Sequence, residues 1–160
     1  MQTLAETPAE AERQIRLLLD LRMDALWAKD ADQFVADYTP DVVAFDLAPP
    51  LRHVGPERQD TRGWISWFDT WDGAISEEIS EFTATVAPEE GIAYCHGLVR
   101  LRGTKVAEGA EVDLWFRSTW CLRRVNGAWK IAHEHHSTPF YMDGSDRAAL
   151  DLTPEDGSPS

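Results

Sequence analysis

The apolar positions of this chain change rhythm near Ile75: before it they recur every three or four residues, and after it they alternate. Ile15, Leu18, Leu19, Met23, Leu26 and Trp27 fall at helical spacing and give one apolar face up to about Ala28. "TPAE", Thr7 to Glu10, supplies the start: Thr7 caps, Pro8 suits the first turn, and Glu10 completes a capping box. Asp30 with Gln33 opens a second, short helix carrying Phe34, Val35 and Tyr38, which closes at Thr39 because a following proline disfavours helical geometry. "DVVAFDL" reads as a strand ended by Pro49-Pro50. Gly55-Pro56 then opens a helix on which Trp64, Trp67, Phe68 and Trp71 share one aromatic face, read either as core or as the roof of an apolar ligand cavity.

Beyond Ile75 the alternation predicts strands at about 76–86, 91–103, 111–125 and 128–137, separated by turn signals at 88–91, 103–109 and Asn126-Gly127. No internal repeat appears. Helices followed by a run of antiparallel strands is the α+β pattern, a curved sheet wrapped on helices. One domain over residues 1–140 is expected, with 141–160 an acidic tail that docks weakly or stays flexible.

Composition narrows the function. The chain has 160 residues, with 15 Lys and Arg against 28 Asp and Glu for a net charge of −13, so its field repels phosphate backbones and anionic headgroups. Neither nucleic acid nor a membrane is expected as a partner, and no segment approaches the ~20 apolar residues of a membrane span. Cys95 and Cys121 sit in strand-like segments without metal or redox spacing and read as free thiols of a reducing compartment. The opening residues lack a basic and an apolar signal region, so a cytoplasmic location is expected.

"IAHEHHSTPF", Ile131 to Phe140, holds three of the five histidines around one glutamate. Asn126-Gly127 is a strong two-residue hairpin signal, since both central residues of a type I′ turn need positive φ. In that register Arg117, Thr119, Cys121, Ala132, Glu134 and His136 share one face, while Phe116, Ser118, Trp120, Leu122, Ile131, His133 and His135 share the other. A three-residue loop would slip the pairing, yet Glu134 and His136 would still share a face. The helical zinc-protease spacing is missing, because Ser137 stands four residues after His133. His133 and His135 can chelate a metal only as a pair, against the plainer reading of interface histidines. Arg117, Glu134, His136 and Thr119 either line a cavity, where a guanidinium would fix a carboxylate or polarise a carbonyl, or form a buried ion pair that locks the sheet.

"YTPDVVAFD" and "NGAWKIAHEHHS", with the Gly-led helix and three long strands between them, resemble the SnoaL-like branch of the nuclear transport factor 2-like superfamily, over about Ala9 to Pro139. The resemblance implies a cone-shaped α+β fold, a curved mixed or antiparallel sheet packed on three helices around a pocket, and a convex face that dimerises. It places Asp46 where ketosteroid isomerase has its general base, and His96 and His136 where the association domain of calcium/calmodulin-dependent kinase has pocket arginines. The first helix lacks that isomerase's tyrosine, and Thr119 stands where its protonated aspartate would be, so steroid isomerisation is not implied. The expectation is a small-molecule isomerase, lyase or hydrolase without a cofactor or metal. Asp46 would be the base and Arg117 and His136 its electrophilic partners, with Trp27, Trp64, Trp67, Tyr94, Trp115, His96, Thr119 and Glu134 around the ligand. A non-catalytic ligand-binding or association domain is the alternative. A homodimer is expected through the face bearing Phe116, Trp120, Leu122 and Ile131, which is too apolar to stay in water.

Overall fold

The computed structural model describes residues 6–157. Helix α1, Pro8–Ala28, begins with the expected capping box: Thr7 accepts from the Glu10 backbone N–H, and the Glu10 carboxylate accepts from that of Thr7. Its buried stripe is Ala11, Ile15, Leu18, Leu19, Arg22, Ala25 and Leu26, apolar but for one arginine. Lys29 closes it in the left-handed conformation at φ 55°. Asp30 caps α2, Ala31–Val35, through Gln33 N–H at 3.0 Å. Tyr38 lies outside that helix and starts strand β1, Tyr38–Phe45.

The two-residue strand β2, His53–Val54, leads through a short 3₁₀ turn into α3, Thr61–Phe68. The aromatic helix therefore ends three residues early, and Trp71 opens β3, Trp71–Ala87, instead of extending the helical stripe. β4 (Ile92–Lys105), β5 (Glu111–Val125) and β6 (Ala128–Ser137) complete one six-stranded sheet in the order β2-β1-β6-β5-β4-β3. Only β1 and β6 pair in parallel. The result is the expected α+β architecture, a mixed sheet with three helices.

The β5–β6 hairpin has the predicted two-residue turn, with Asn126 at φ 50° and Gly127 at φ 83°. Val125 faces Ala128, and pairing proceeds regularly to Leu122 opposite Ile131; Cys121 then faces His133. Ala132 is thus the extra residue of a β-bulge. One added residue reverses the phase of alternation, so Ile131 and Glu134 both face inward, and the partners of Glu134 and His136 become Trp120 and Ser118. The pairing of His136 with Arg117 expected from an unbroken register does not occur. Arg117 faces out and is exposed, opposite Ser137.

The same shift reverses the expected sidedness of β5. Phe116, Trp120, Leu122 and Ile131 are 5%, 2%, 2% and 0% exposed and belong to the core beneath the helices. They are not available to a partner, and each contributes roughly 1.5–3 kcal/mol by leaving water. On β4 the buried set is Ala93, Cys95, Val99 and Leu101, which turns Tyr94 and His96 outward.

After β6, Phe140 makes an isolated bridge to Ala148, and Ala149 is buried with its N–H on Pro139 O at 2.8 Å. Residues 158–160 of the expected tail, like 1–5 at the other end, lie outside the described residues. Among the described residues no helix is long and apolar enough to cross a membrane.

Gly97 shows how closely β3 lies on β4. A β-carbon there would sit 2.8 Å from Ser80 O and 3.0 Å from Ile79 Cγ2, beside the irregularity that shifts the β3 register between Ser80 and Thr83. Gly97→Ala is expected to lower unfolding free energy by about 1–3 kcal/mol, measured by urea denaturation. An unchanged midpoint would mean that the strands separate freely at this point.

Candidate active site

Glu134 is fully buried at the inner end of a cavity of about 570 Å³. The bulge after Ile131 turns it inward, where three other segments reach it. Tyr38, at the start of β1, donates its hydroxyl to Oε1 at 2.5 Å. Arg58, from the turn before α3, donates Nε to the same oxygen at 3.0 Å and makes a second, closer contact through Nη2. Arg22, from α1, reaches Oε2 at 3.4 Å and also donates to Tyr38 Oη at 2.9 Å and to Phe34 O at 2.5 Å. Burial opposes ionisation of Glu134, but Arg58, His136 and Arg22 outweigh it and hold the carboxyl well below its ordinary range. The guanidinium of Arg22 lies 4.2 Å over the Phe34 ring, and that of Arg58 lies 4.5 Å over Trp64.

Asp46 joins this network one step further out. Its Oδ2 accepts from Arg58 Nη1 at 2.7 Å and its Oδ1 from Leu47 N–H at 2.7 Å. His136 Nδ1 is 2.7 Å from Ser118 Oγ, and its Nε2 faces Glu134 Oε2 at 3.7 Å. Burial lowers the affinity of His136 for its second proton, yet the Glu134 carboxylate more than restores it, so the net shift is upward. Glu77, from β3, completes the polar end. It lines the cavity half-buried, and burial pushes its carboxyl up to about 7, against the pull of His136 and Arg22.

The remaining walls are mostly apolar, with Lys105, His53, Glu57 and Asp60 among their lining residues. Phe34, Trp64, Trp67, Trp71, Leu101 and Phe116 line them, and the rings of Trp64, Trp67 and Trp71 follow one another edge to face at 5.9 and 5.6 Å. A ligand there meets flat hydrocarbon over most of its surface and acid–base groups at one end.

Of the residues expected at the site, Asp46, Trp64, Trp67, Glu134 and His136 line this cavity. Arg117, Tyr94, His96, Trp115 and Thr119 do not; all five stand on the outward side of β4 and β5, in alternation with the buried residues. Trp27 is 60% exposed on α1. His133 and His135 also face away, packed against Phe45, with His133 Nδ1 on Val43 O at 2.7 Å. Among the described residues no group of three His, Cys, Asp or Glu side chains gathers as metal donors.

Four site residues escaped the sequence reading. Arg22 and Glu77 had a signal: the arginine interrupts the apolar stripe of α1, and the glutamate alternates in phase with Ile75 and Ile79. Tyr38 shares the helical spacing of Phe34 and Val35, which hides its place on β1. Arg58 sits in a turn with no periodicity to mark it.

The chain matches the family model for the SnoaL-like domain over residues 15–141, and it belongs to that family. An NTF2-like protein of unknown function from Pseudomonas putida KT2440 is similar in structure, with a TM-score of 0.79 and 30% identity over 93% of this chain and 100% of that one. A candidate scytalone dehydratase from Novosphingobium aromaticivorans gives 0.71 and 17% over 86% and 90%. A ketosteroid isomerase-like protein from Erwinia carotovora atroseptica gives 0.63 and 23% over 78% and 93%. The last two share the fold. No curated protein matches the sequence.

The Glu77 carboxyl predicts a pH dependence. It holds its proton to about pH 7 in the folded chain, against an ordinary value of 4.5. Between those values the native state binds more protons than the unfolded state, so this group's contribution to stability falls as pH rises and then levels off. Glu77→Gln should therefore gain on the wild type between pH 4.5 and 8 by on the order of 1–3 kcal/mol, read from urea unfolding at both pH values. A difference that does not change with pH would mean the carboxyl ionises as freely as in water.

Proposed function

We propose that this protein is a small-molecule enzyme of isomerase or lyase type, working by proton transfer in the aromatic-walled cavity. The observation that carries the reading is the convergence of Asp46, Glu77 and His136 on one end of that cavity. Their environments differ: Asp46 is paired with a guanidinium, Glu77 is shifted toward neutrality by burial, and His136 is shifted upward by Glu134. Such separation suits one carboxylate to accept a proton while neighbouring groups donate.

In this reading Asp46 takes a proton from a carbon next to a carbonyl. His136 and protonated Glu77 donate hydrogen bonds to the oxygen on which negative charge collects. Return of the proton to another carbon gives isomerisation. Loss of a β-hydroxyl as water, its oxygen protonated by Glu77, gives elimination. Neither route changes oxidation state overall. Arg58 holds Asp46 in place through its hydrogen bond to Oδ2, and the electrophilic part expected of Arg117 falls to Glu77 beside His136.

A second reading, a ligand-binding or association domain without turnover, is favoured by one fact: both Asp46 oxygens already accept hydrogen bonds, from Arg58 and from Leu47. The two readings separate on Asp46→Asn. Deuterium exchange at acidic carbons of a panel of cyclic ketones and β-hydroxy ketones, followed by mass spectrometry, should find a compound that the wild type labels. Asp46→Asn should label it at least about 100-fold more slowly, whereas Arg117→Ala should leave the rate within about twofold because its side chain lies outside the cavity. Equal rates for Asp46→Asn and wild type would remove Asp46 from the mechanism.

We also propose a homodimer through the outward face of the sheet, on grounds that replace the original ones. Phe45, Ile92 and Tyr94 are 38%, 51% and 50% exposed on that face. Light scattering at micromolar concentration should give twice the chain mass, and Tyr94→Glu should shift it toward one chain. A wild-type protein that scatters as a single chain would contradict this.

A further inference from the structure

The charges at the inner end of the cavity answer one another, but at the opposite end an ammonium has no counter-charge and an indole N–H has no acceptor. Lys105, the last residue of β4, lines the cavity beside Trp71, its pairing partner at the start of β3. Its ammonium lies 3.5 Å from the centroid of the Trp71 ring and 5.8 Å from that of Trp67, and its hydrogen bond is to Thr70 Oγ1 at 3.3 Å. Among the described residues no carboxylate pairs with it, although Asp69 and Asp72 lie on either side of Trp71 in sequence. The N–H of the indole that the ammonium covers, on a residue 3% exposed, is buried without a partner. The ring is fixed there: Gly103 leaves room for it, since a β-carbon on that glycine would lie 2.8 Å from Trp71 Cε3.

We propose that Lys105 and the Trp71 indole N–H form an anion subsite, and that the natural ligand is an elongated ring compound carrying a carboxylate at this end and a hydroxyl or carbonyl at the other. A carboxylate accepts a charge-assisted hydrogen bond from the ammonium, which a neutral group does less well. The ammonium is held by aromatic faces and not by counter-charge, so it is free to pair with a ligand. Partial burial also disfavours its charge in the empty site, and an incoming anion relieves that cost. At the far end Asp46 and Glu134 are paired with Arg58 and Arg22, and Glu77 is shifted toward its neutral form, an environment that receives a polar uncharged group. Register sets the length. Glu77 is opposite Leu101, four residues before Lys105 on β4, or roughly 13 Å at ~3.3 Å per residue. Trp67 and Leu101 line the apolar interval between them.

The inference rests on reading the cavity as a ligand site, and titration calorimetry with a matched pair of probes separates the two. 4′-Hydroxybiphenyl-4-carboxylate and the corresponding carboxamide have the same shape and differ in charge. Wild-type protein is expected to bind the acid about tenfold more tightly than the amide. Lys105→Met keeps the aliphatic stem; it should bring that ratio to about twofold or less and leave the amide affinity within about threefold, with an unchanged thermal midpoint. Lys105→Arg should retain the preference. Binding of both compounds with equal affinity to wild type, or a preference that survives in Lys105→Met, would overturn the subsite while leaving the cavity as a ligand site. Failure of wild type to bind either compound would overturn both.

Discussion

Glu134 has no contact with water and yet carries a charge, which is possible only because Arg22, Arg58 and Tyr38 reach it from three other segments of the chain. The arrangement ties α1, β1 and the turn before α3 to β6. Removing a carboxylate and two guanidinium groups from water is costly, and mutual attraction offsets that cost only when the remaining hydrogen-bonding positions are also filled. Tyr38 and the Phe34 carbonyl fill several of them. Because the cluster forms the cavity's inner wall, the geometry of the site follows from satisfying a buried charge.

Much of the scaffold was legible because it depends on local chemistry. The capping box at Thr7 and Glu10, the positive φ values of Asn126 and Gly127, and the two-residue rhythm of β5 and β6 are consequences of neighbouring residues alone. What local chemistry could not reveal was the phase. Ala132 is small, carries no turn signal and lies inside an alternating run, so nothing in its own neighbourhood marks it as the residue that breaks the ladder. That single position exchanged the inner and outer faces of β5, moving Arg117 out and the aromatic residues in. Glu134 and His136 share one face in either phase because they lie two apart, both beyond the bulge.

The acid–base groups of the cavity are distinguished by their surroundings. A guanidinium answers Asp46, burial acts on Glu77, and a carboxylate acts on His136. Aromatic walls lower the local dielectric and so strengthen each such interaction. Histidines 133 and 135, in the same short stretch, face Phe45 on the other side of the sheet and take no part. Clustering in sequence thus conceals a division of labour that only the pleat makes visible.

The bulge at Ala132 also bears on how this motif can be transplanted. The five residues from His133 to Ser137 are out of step with the hairpin that precedes them, so the cluster is defined by its offset as much as by its composition. Copied onto an uninterrupted hairpin with Ala132 retained as an ordinary ladder position, the same letters would set Glu134 and His136 on the side opposite Ile131 and present His133 and His135 to the interior.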